Sequence, residues 1–283
     1  MQSVEASPPV APRARSYRHR LPVRVMHWIN LLCLVVLLMS GLQIFNAHPR
    51  LYFGQGSDFD RPWLLIGAMQ SPAGPVGVTW IAGHRFGTDG VLGRSRMESG
   101  GPLVQRAFPS WATLPSPQWL SMGRHWHFFF AWLFVANGLA YFLYALFSGH
   151  LRRDLMPTTD ELRHIGGSIT DHLLFRHPTG AAALRYNVLQ KLAYVAVILV
   201  LLPLLVLAGM AMSPMLDSVV PGWVGWLGGR QTARTLHFLA ATGLLLFVAV
   251  HVFEVLVSGV WNQLRSMVTG WYTLPAGGKG QTS

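Results

Sequence analysis

The sequence predicts an all-α integral membrane protein, a four-transmembrane-helix bundle with a long outer loop between helices 1 and 2. Three observations carry this. Of 283 residues, 51% are apolar and only 12% are charged, whereas a soluble domain carries about 25% charged residues. Four nearly uncharged runs are each long enough to cross a bilayer. Two histidines fourteen residues apart, His237 and His251, lie inside one of these runs, and imidazole within a membrane is rare and usually functional.

The elements follow in order. Residues 1–20 are rich in Pro and Arg, have no apolar core and read as a flexible tail, with no cleavable signal peptide expected. The membrane domain covers 21–262. Its first span, 27–45, contains no charged residue. The outer loop, 46–124, includes an apolar stretch at 62–83 that fails as a span. Pro62, Pro72, Pro75 and several glycines would leave its backbone groups unpaired in lipid. The second span, 125–147, is again uncharged. The third, 188–212, holds Lys191 at its edge and Pro203, where a kink is expected. The fourth, 235–257, carries Glu254 near its end, and 263–283 forms a C-terminal tail.

Charge and cysteine usage exclude several classes. The net charge is +11, but no basic run is interleaved with aromatics, so arginines at the membrane border explain it and nucleic acid is not an expected partner. The single cysteine, Cys33, rules out an intrachain disulfide, a thiolate zinc site and covalent haem attachment through C-x-x-C-H. It is expected as a small buried apolar residue.

Arginine placement orients the chain. Arg13, Arg15, Arg18, Arg20 and Arg24 precede the first span against one acid, Glu5, and the loop after the second span carries Arg152, Arg153, Arg163, Arg176, Arg185 and Lys191. The 46–124 loop also holds seven arginines, but long loops count less in the positive-inside rule. Both termini are then cytoplasmic in a multi-pass protein of the bacterial cytoplasmic membrane, and the long loop faces outward.

This topology sorts the histidines by depth. Fourteen helical steps of about 100° return to within roughly 40° of the starting direction and rise about 21 Å. His237 and His251 therefore share one face of the fourth span, one near each membrane surface. His127 faces the outer of these and His27 the inner, giving an outer pair His127/His237 and an inner pair His27/His251. His125 and His127 point about 200° apart. His127 is preferred because Arg124 precedes it by three, and His125 stays as the alternative. Zinc would want more ligands per site. Haem needs only two axial groups, and with both filled by histidine it favours electron transfer over oxygen chemistry. Two haems are the expected cofactors.

Flanking residues extend this reading. Arg24 and Arg124 each lie one turn before a ligand histidine, where a guanidinium suits a haem propionate, though ordinary border arginines look the same. Glu254, one turn past His251, is either a proton carrier or an interfacial residue. Gly41 and Gly138 either admit a flat macrocycle or serve close helix packing. His19, His150, His164, His172 and His177 fall in tail or loop sequence, and His48 and His84 in the outer loop. The glycine-rich run 83–101 has no phosphate-loop pattern and reads as surface, suited to partner docking.

RVMHWIN, then SGLQIFNAHPRLYFG, then RHWHFFFAWLFVANGLAY, then a span with two histidines fourteen apart, together resemble the prokaryotic di-haem b-type cytochromes. These are the membrane subunits of hydrogenases, formate dehydrogenases and thiosulfate reductases. The first-span segment is similar to the branch that serves molybdopterin-dependent, sulfite-oxidase-like periplasmic enzymes. The resemblance covers roughly 27–261 and implies that His27, His127, His237 and His251 hold two b haems. It also implies electron exchange between quinone and an extracytoplasmic oxidoreductase partner. Two alternatives stand beside it: a stand-alone quinone-dependent redox enzyme of superoxide-oxidase type, and a haem-free anchor or transporter.

Overall fold

The computed structural model describes residues 14–96, 101–174 and 186–274. Glu5, Arg13, Arg176, His177 and Arg185, with tail residues 1–13 and 275–283, lie outside these. The chain is mostly helical, and four helices are long and apolar enough to cross a membrane: Leu21–Ala47, Leu120–Phe147, Val188–Ala211 and Arg230–Val257. Each contains nearly all of one expected span, and the first, second and fourth begin five to six residues earlier than their apolar runs. Apolar sequence marks the hydrocarbon core, whereas backbone hydrogen bonding carries a helix on into the headgroup region.

The third span is not uniform. A π-helical turn at Val197–Leu201 separates the α-helical stretches Val188–Ala196 and Leu202–Ala211. Pro203 lacks an N–H and its ring crowds the preceding turn, so the helix widens there. A π turn stands where the kink was expected.

Contacts divide the chain into two compact units. One takes the described residues of Met1–Val25, Ala145–Tyr194 and Ala249–Ser283; the other takes those of Met26–Tyr144 and Val195–Val248.

The second unit contains the long loop, and the loop is not irregular. Strands β2 (Arg50–Leu51), β3 (Leu64–Ser71), β4 (Gly74–Ile81) and β5 (His84–Gly87) form one antiparallel sheet in that order. The stretch that failed as a membrane span is its central hairpin, with Ser71 opposite Gly74 and Leu64 opposite Ile81. The turn glycine, Gly74, takes φ 109°. Backbone groups that lipid could not satisfy are satisfied across this ladder. A second ribbon pairs β6 (Arg94–Arg96) with β7 (Leu103–Gln105). Leu51, Leu64, Ile66 and Ala107 bury against Phe45 at the end of the first span. Among the bonds that tie the loop to the fourth span, Thr235 Oγ1 donates to Tyr52 O (2.6 Å), Gly54 N to Thr232 Oγ1 (2.7 Å) and Arg234 Nη2 to His48 O. Deeper in the unit, Cys33 is fully buried with Phe130 and Phe134, the apolar role expected of it.

The first unit holds the terminal segments. Within 14–20, β1 (Arg15–Tyr17) pairs antiparallel with β8 (Trp271–Thr273), and Tyr17 meets Trp271 edge-to-face at 5.4 Å. Residues 263–269 belong to the helix Val260–Thr269. Both segments were expected as tails, and a pairing across about 250 residues leaves no local pattern to read. The helix is inverted relative to a water-soluble one. Trp261, Leu264 and Val268 point outward, while Asn262, Gln263 and Ser266 hydrogen-bond within the unit. Lys191, expected at the edge of its span, donates to Glu161 at 2.7 Å. A Thr158–Glu161 capping box fixes that carboxylate on the helix Thr159–Arg163.

Candidate functional site

In the second unit, His127 and His237 face one another, with ring centres 6.2 Å apart. Each ring is fixed by a neighbouring helix. His127 Nδ1 lies 3.0 Å from Ser40 Oγ on the first span. The Ser40 hydroxyl already donates to Val36 O at 2.6 Å, so it accepts from His127 Nδ1–H. His237 Nδ1 lies 2.8 Å from the Leu205 carbonyl on the third span, and a carbonyl can only accept. Both rings are thereby held as the Nδ1–H tautomer, leaving each Nε2 with a lone pair. An outer hydrogen bond from the non-coordinating nitrogen is the usual companion of a metal-ligating histidine.

A glycine lies against each seat, closely at Gly209 and at ordinary contact distance at Gly41. A Cβ on Gly41 would lie 3.4 Å from His127 Cε1, and one on Gly209 would lie 3.2 Å from both Cε1 and Nδ1 of His237. Gly41 thus serves the histidine rather than open space, whereas a Cβ on Gly138 would meet nothing within 4 Å. Gly209 and Ser40 were not singled out by sequence, because their roles depend on which helix face meets which neighbour.

The separation suits one iron between two imidazoles. Metal–imidazole bonds of about 2.0–2.1 Å, plus about 1.1 Å from nitrogen to ring centre, place two axial rings about 6.3 Å apart. Among the described residues no group of three or more His, Cys, Asp or Glu side chains is placed to hold a bare metal ion. The donor set fits a metal that brings its other ligands with it, as haem does.

The remaining expected residues fall as follows. His27, in the second unit, sits edge-on to Trp28 with ring centres 5.6 Å apart. His251 and Glu254 are half-buried on the fourth span, in the first unit. Arg24, in the same unit, donates through Nη1 to Val268 O at 2.5 Å. Arg124 is exposed, with Cζ 5.6 Å from the Phe128 ring. His125 is also exposed and lines an open cavity of about 210 Å³ with Met122, Trp126 and Phe129, all on its own helix. Of the two adjacent histidines it is His127 that turns toward His237.

Polar residues that sequence reading did not single out surround the loop-side end of the first span. Arg106 is 2% exposed. Its Nη2 donates to Thr113 Oγ1 (2.6 Å), Ser116 O (2.7 Å) and Gln43 Oε1 (3.2 Å), while Nε and Nη1 are buried without a partner. Burial pushes the Arg106 guanidinium below its ordinary value. His48 Nε2 and Tyr52 Oη are likewise buried and unpartnered. Burial, then the Arg234 and Arg50 charges, hold the His48 imidazole below its usual range. Toward the other end of the unit, Asn137 joins the first two spans through Met26 O (2.9 Å) and Asn30 Oδ1 (2.7 Å). No pattern in the sequence marks Arg106 among the seven loop arginines.

Comparison with known proteins extends the geometry. The family model for prokaryotic cytochrome b561 matches residues 18–270. The chain is 28% identical over 252 residues to a protein of Azospira oryzae described as "Putative protein-methionine-sulfoxide reductase subunit YedZ1", covering 88% of this chain and 93% of that one. No solved structure matches.

Proposed function

The chain belongs to the prokaryotic cytochrome b561 family, a family of haem-binding electron-transfer proteins of the membrane, and on that premise we propose that it is a di-haem cytochrome b linking quinone to an extracytoplasmic oxidoreductase. The facing pair His127/His237, with both Nδ1 atoms anchored and centres 6.2 Å apart, is the observation that carries the proposal. His27 and His251 are proposed as the ligands of the second haem, supported by the fourteen residues between His237 and His251 and by the arginine-based topology that gives His27 the depth of His251. Haem b, when bound, supplies a one-electron couple at each iron. The protein's part is to hold neutral imidazoles in a fixed tautomer and a water-poor setting.

The long loop and its sheet are proposed to lie outside the cytoplasmic membrane, with both termini inside, on the arginine distribution. The partner would dock there. The Azospira relative is described as a subunit of a methionine-sulfoxide reductase, and by analogy the partner here is a periplasmic reductase, molybdopterin-dependent as in the branch the first span resembles. Electrons then run outward. One quinol gives up two electrons and two protons, and one sulfoxide takes up two of each to yield a thioether and water. Glu254, one turn past His251, is the proposed proton carrier at the inner quinone site.

Haem stoichiometry of the detergent-purified chain tests this reading by pyridine haemochrome and a dithionite-minus-oxidised spectrum. About two low-spin b haems per chain are expected, as each bis-histidine site fills both axial positions. No haem in folded protein from haem-sufficient cells would overturn the proposal. Full activity of the isolated chain toward superoxide, with no partner retained in mild detergent, would favour the stand-alone enzyme.

A further inference from the structure

Arg106 is a buried cation without a counter-anion among the described residues. Three of its contacts, Gln43, Thr113 and Ser116, are neutral acceptors, and all three engage Nη2. The Nε–H and both Nη1–H donors have no acceptor among the described residues. Buried donors are nearly always satisfied, and a buried charge left unpaired is strongly unfavourable, so acceptors are missing here, and an anion with oxygen acceptors would balance the charge as well.

The place of the guanidinium says which anion. Gln43, which accepts from Arg106, lies one turn beyond Ser40, the residue bonded to His127. On the second span a Cβ at Gly123 would be 2.9 Å from Gln43 Cγ, and Gly123 lies one turn before His127. Arg106 thus bonds to a first-span residue, Gln43, that itself packs against the second span, one turn closer to the loop than Ser40. A haem held by His127 carries its two carboxylates at one edge of the macrocycle, several ångströms from the iron. The Arg124 side chain, by contrast, is exposed and stacked on Phe128.

We propose that Arg106, delivered by the loop from outside the helices, is the anchor for a propionate of the haem held between His127 and His237. The assignment rests on the di-haem reading above. It gives the β-ribbons a task in cofactor binding: Arg106 follows β7, and its backbone N–H is fixed to Gly93 O at 3.1 Å. The loop then closes over the haem edge with the charge already in position.

The test uses the full-length chain, purified without haem and titrated with haem or with haem dimethyl ester, whose propionates are blocked. The parent, Arg106→Gln and Arg106→Lys all carry His251→Ala, so that one position is read. Charge-assisted pairing predicts that the Gln variant binds haem about tenfold more weakly, while its affinity for the diester stays within about twofold of the parent's. The Lys variant falls between. Equal loss for haem and diester would overturn the proposal, because a residue that only braces Gln43 and Thr113 cannot tell them apart. A parent that binds both ligands equally would overturn it even if neither variant folds. A parent that takes up neither ligand would instead remove the di-haem reading itself, and this proposal with it.

Discussion

Replacing Gly209 with Ala probes how firmly His237 is seated. The added Cβ would lie 3.2 Å from Cε1 and Nδ1 of that ring, whereas carbon atoms pack best at about 3.5–4.0 Å. The imidazole must retreat by about 0.3 Å or more while tethered to Leu205 O at 2.8 Å. Overpacking costs about 1–3 kcal/mol, and Ala returns up to about 1 kcal/mol of helix propensity. The difference, roughly 0–2 kcal/mol, amounts to as much as about 30-fold in haem affinity. Gly41→Ala is milder, since its Cβ would lie 3.4 Å from His127 Cε1, and Gly138→Ala meets nothing within 4 Å. Haem per chain and the midpoint potentials of the three purified variants provide the assay. Retention of the loop-side haem should rise from Gly209→Ala through Gly41→Ala to Gly138→Ala. Indistinguishable haem content and potentials for the Gly209 and Gly138 variants would refute the reasoning.

Other outcomes follow from the same geometry. His237→Ala and His251→Ala should each leave about one haem per chain, whereas His125→Ala should leave the content unchanged; loss of a haem in the His125 variant would move the ligand role from His127. Ser40→Ala removes the acceptor for His127 Nδ1–H and should weaken haem binding about 10–100-fold and raise the potential of that haem alone, as read by redox titration. The Glu161 carboxyl is held below its usual range, first by its bond from Lys191 and then by the Thr158 backbone. Its contribution to stability is therefore complete above the unfolded-state pKa of about 4.3 and is lost as pH falls through the folded-state value. Glu161→Gln should cost about 1–3 kcal/mol at neutral pH, with allowance for partial exposure, and should flatten the acid limb of the melting-temperature profile; an unchanged limb would mean the pair contributes nothing.

What the sequence discloses is what repeats along it. Four spans are visible because hydrocarbon demands twenty or so apolar residues in a row. The fourteen-residue interval of His237 and His251 is visible because a helix has a fixed pitch. That 62–83 is not a spanning helix is visible for the same reason, since prolines and glycines state what a lipid-exposed backbone cannot do. That this stretch forms a hairpin was hidden, because Gly67, Gly74 and Gly77 interrupt the alternation by which a strand is recognised. Ser40 and the Leu205 carbonyl were hidden because one is a common residue and the other is backbone. Arg106 was hidden among seven loop arginines; only burial distinguishes it, and burial is a property of the folded chain.

The partners of the two loop-side histidines also bear on what passes between them. A histidine that relays protons needs both ring nitrogens in contact with groups that exchange protons. In His237 one nitrogen is spent on a carbonyl, which has no proton to give. In His127 one is spent on a hydroxyl whose proton is committed to Val36 O. Two imidazoles in direct hydrogen bond, with nitrogens about 3 Å apart, would have centres about 5.2 Å apart, and these stand at 6.2 Å. The extra ångström matches an atom that accepts a bond of about 2 Å from each side. Such a metal still requires ligands around its equator, and among the described residues no third His, Cys, Asp or Glu is placed to supply one. The equatorial ligands must then arrive with the metal. A planar tetrapyrrole would bring them, His127 and His237 would hold it, and its edge carboxylates would meet the guanidinium of Arg106 as proposed above.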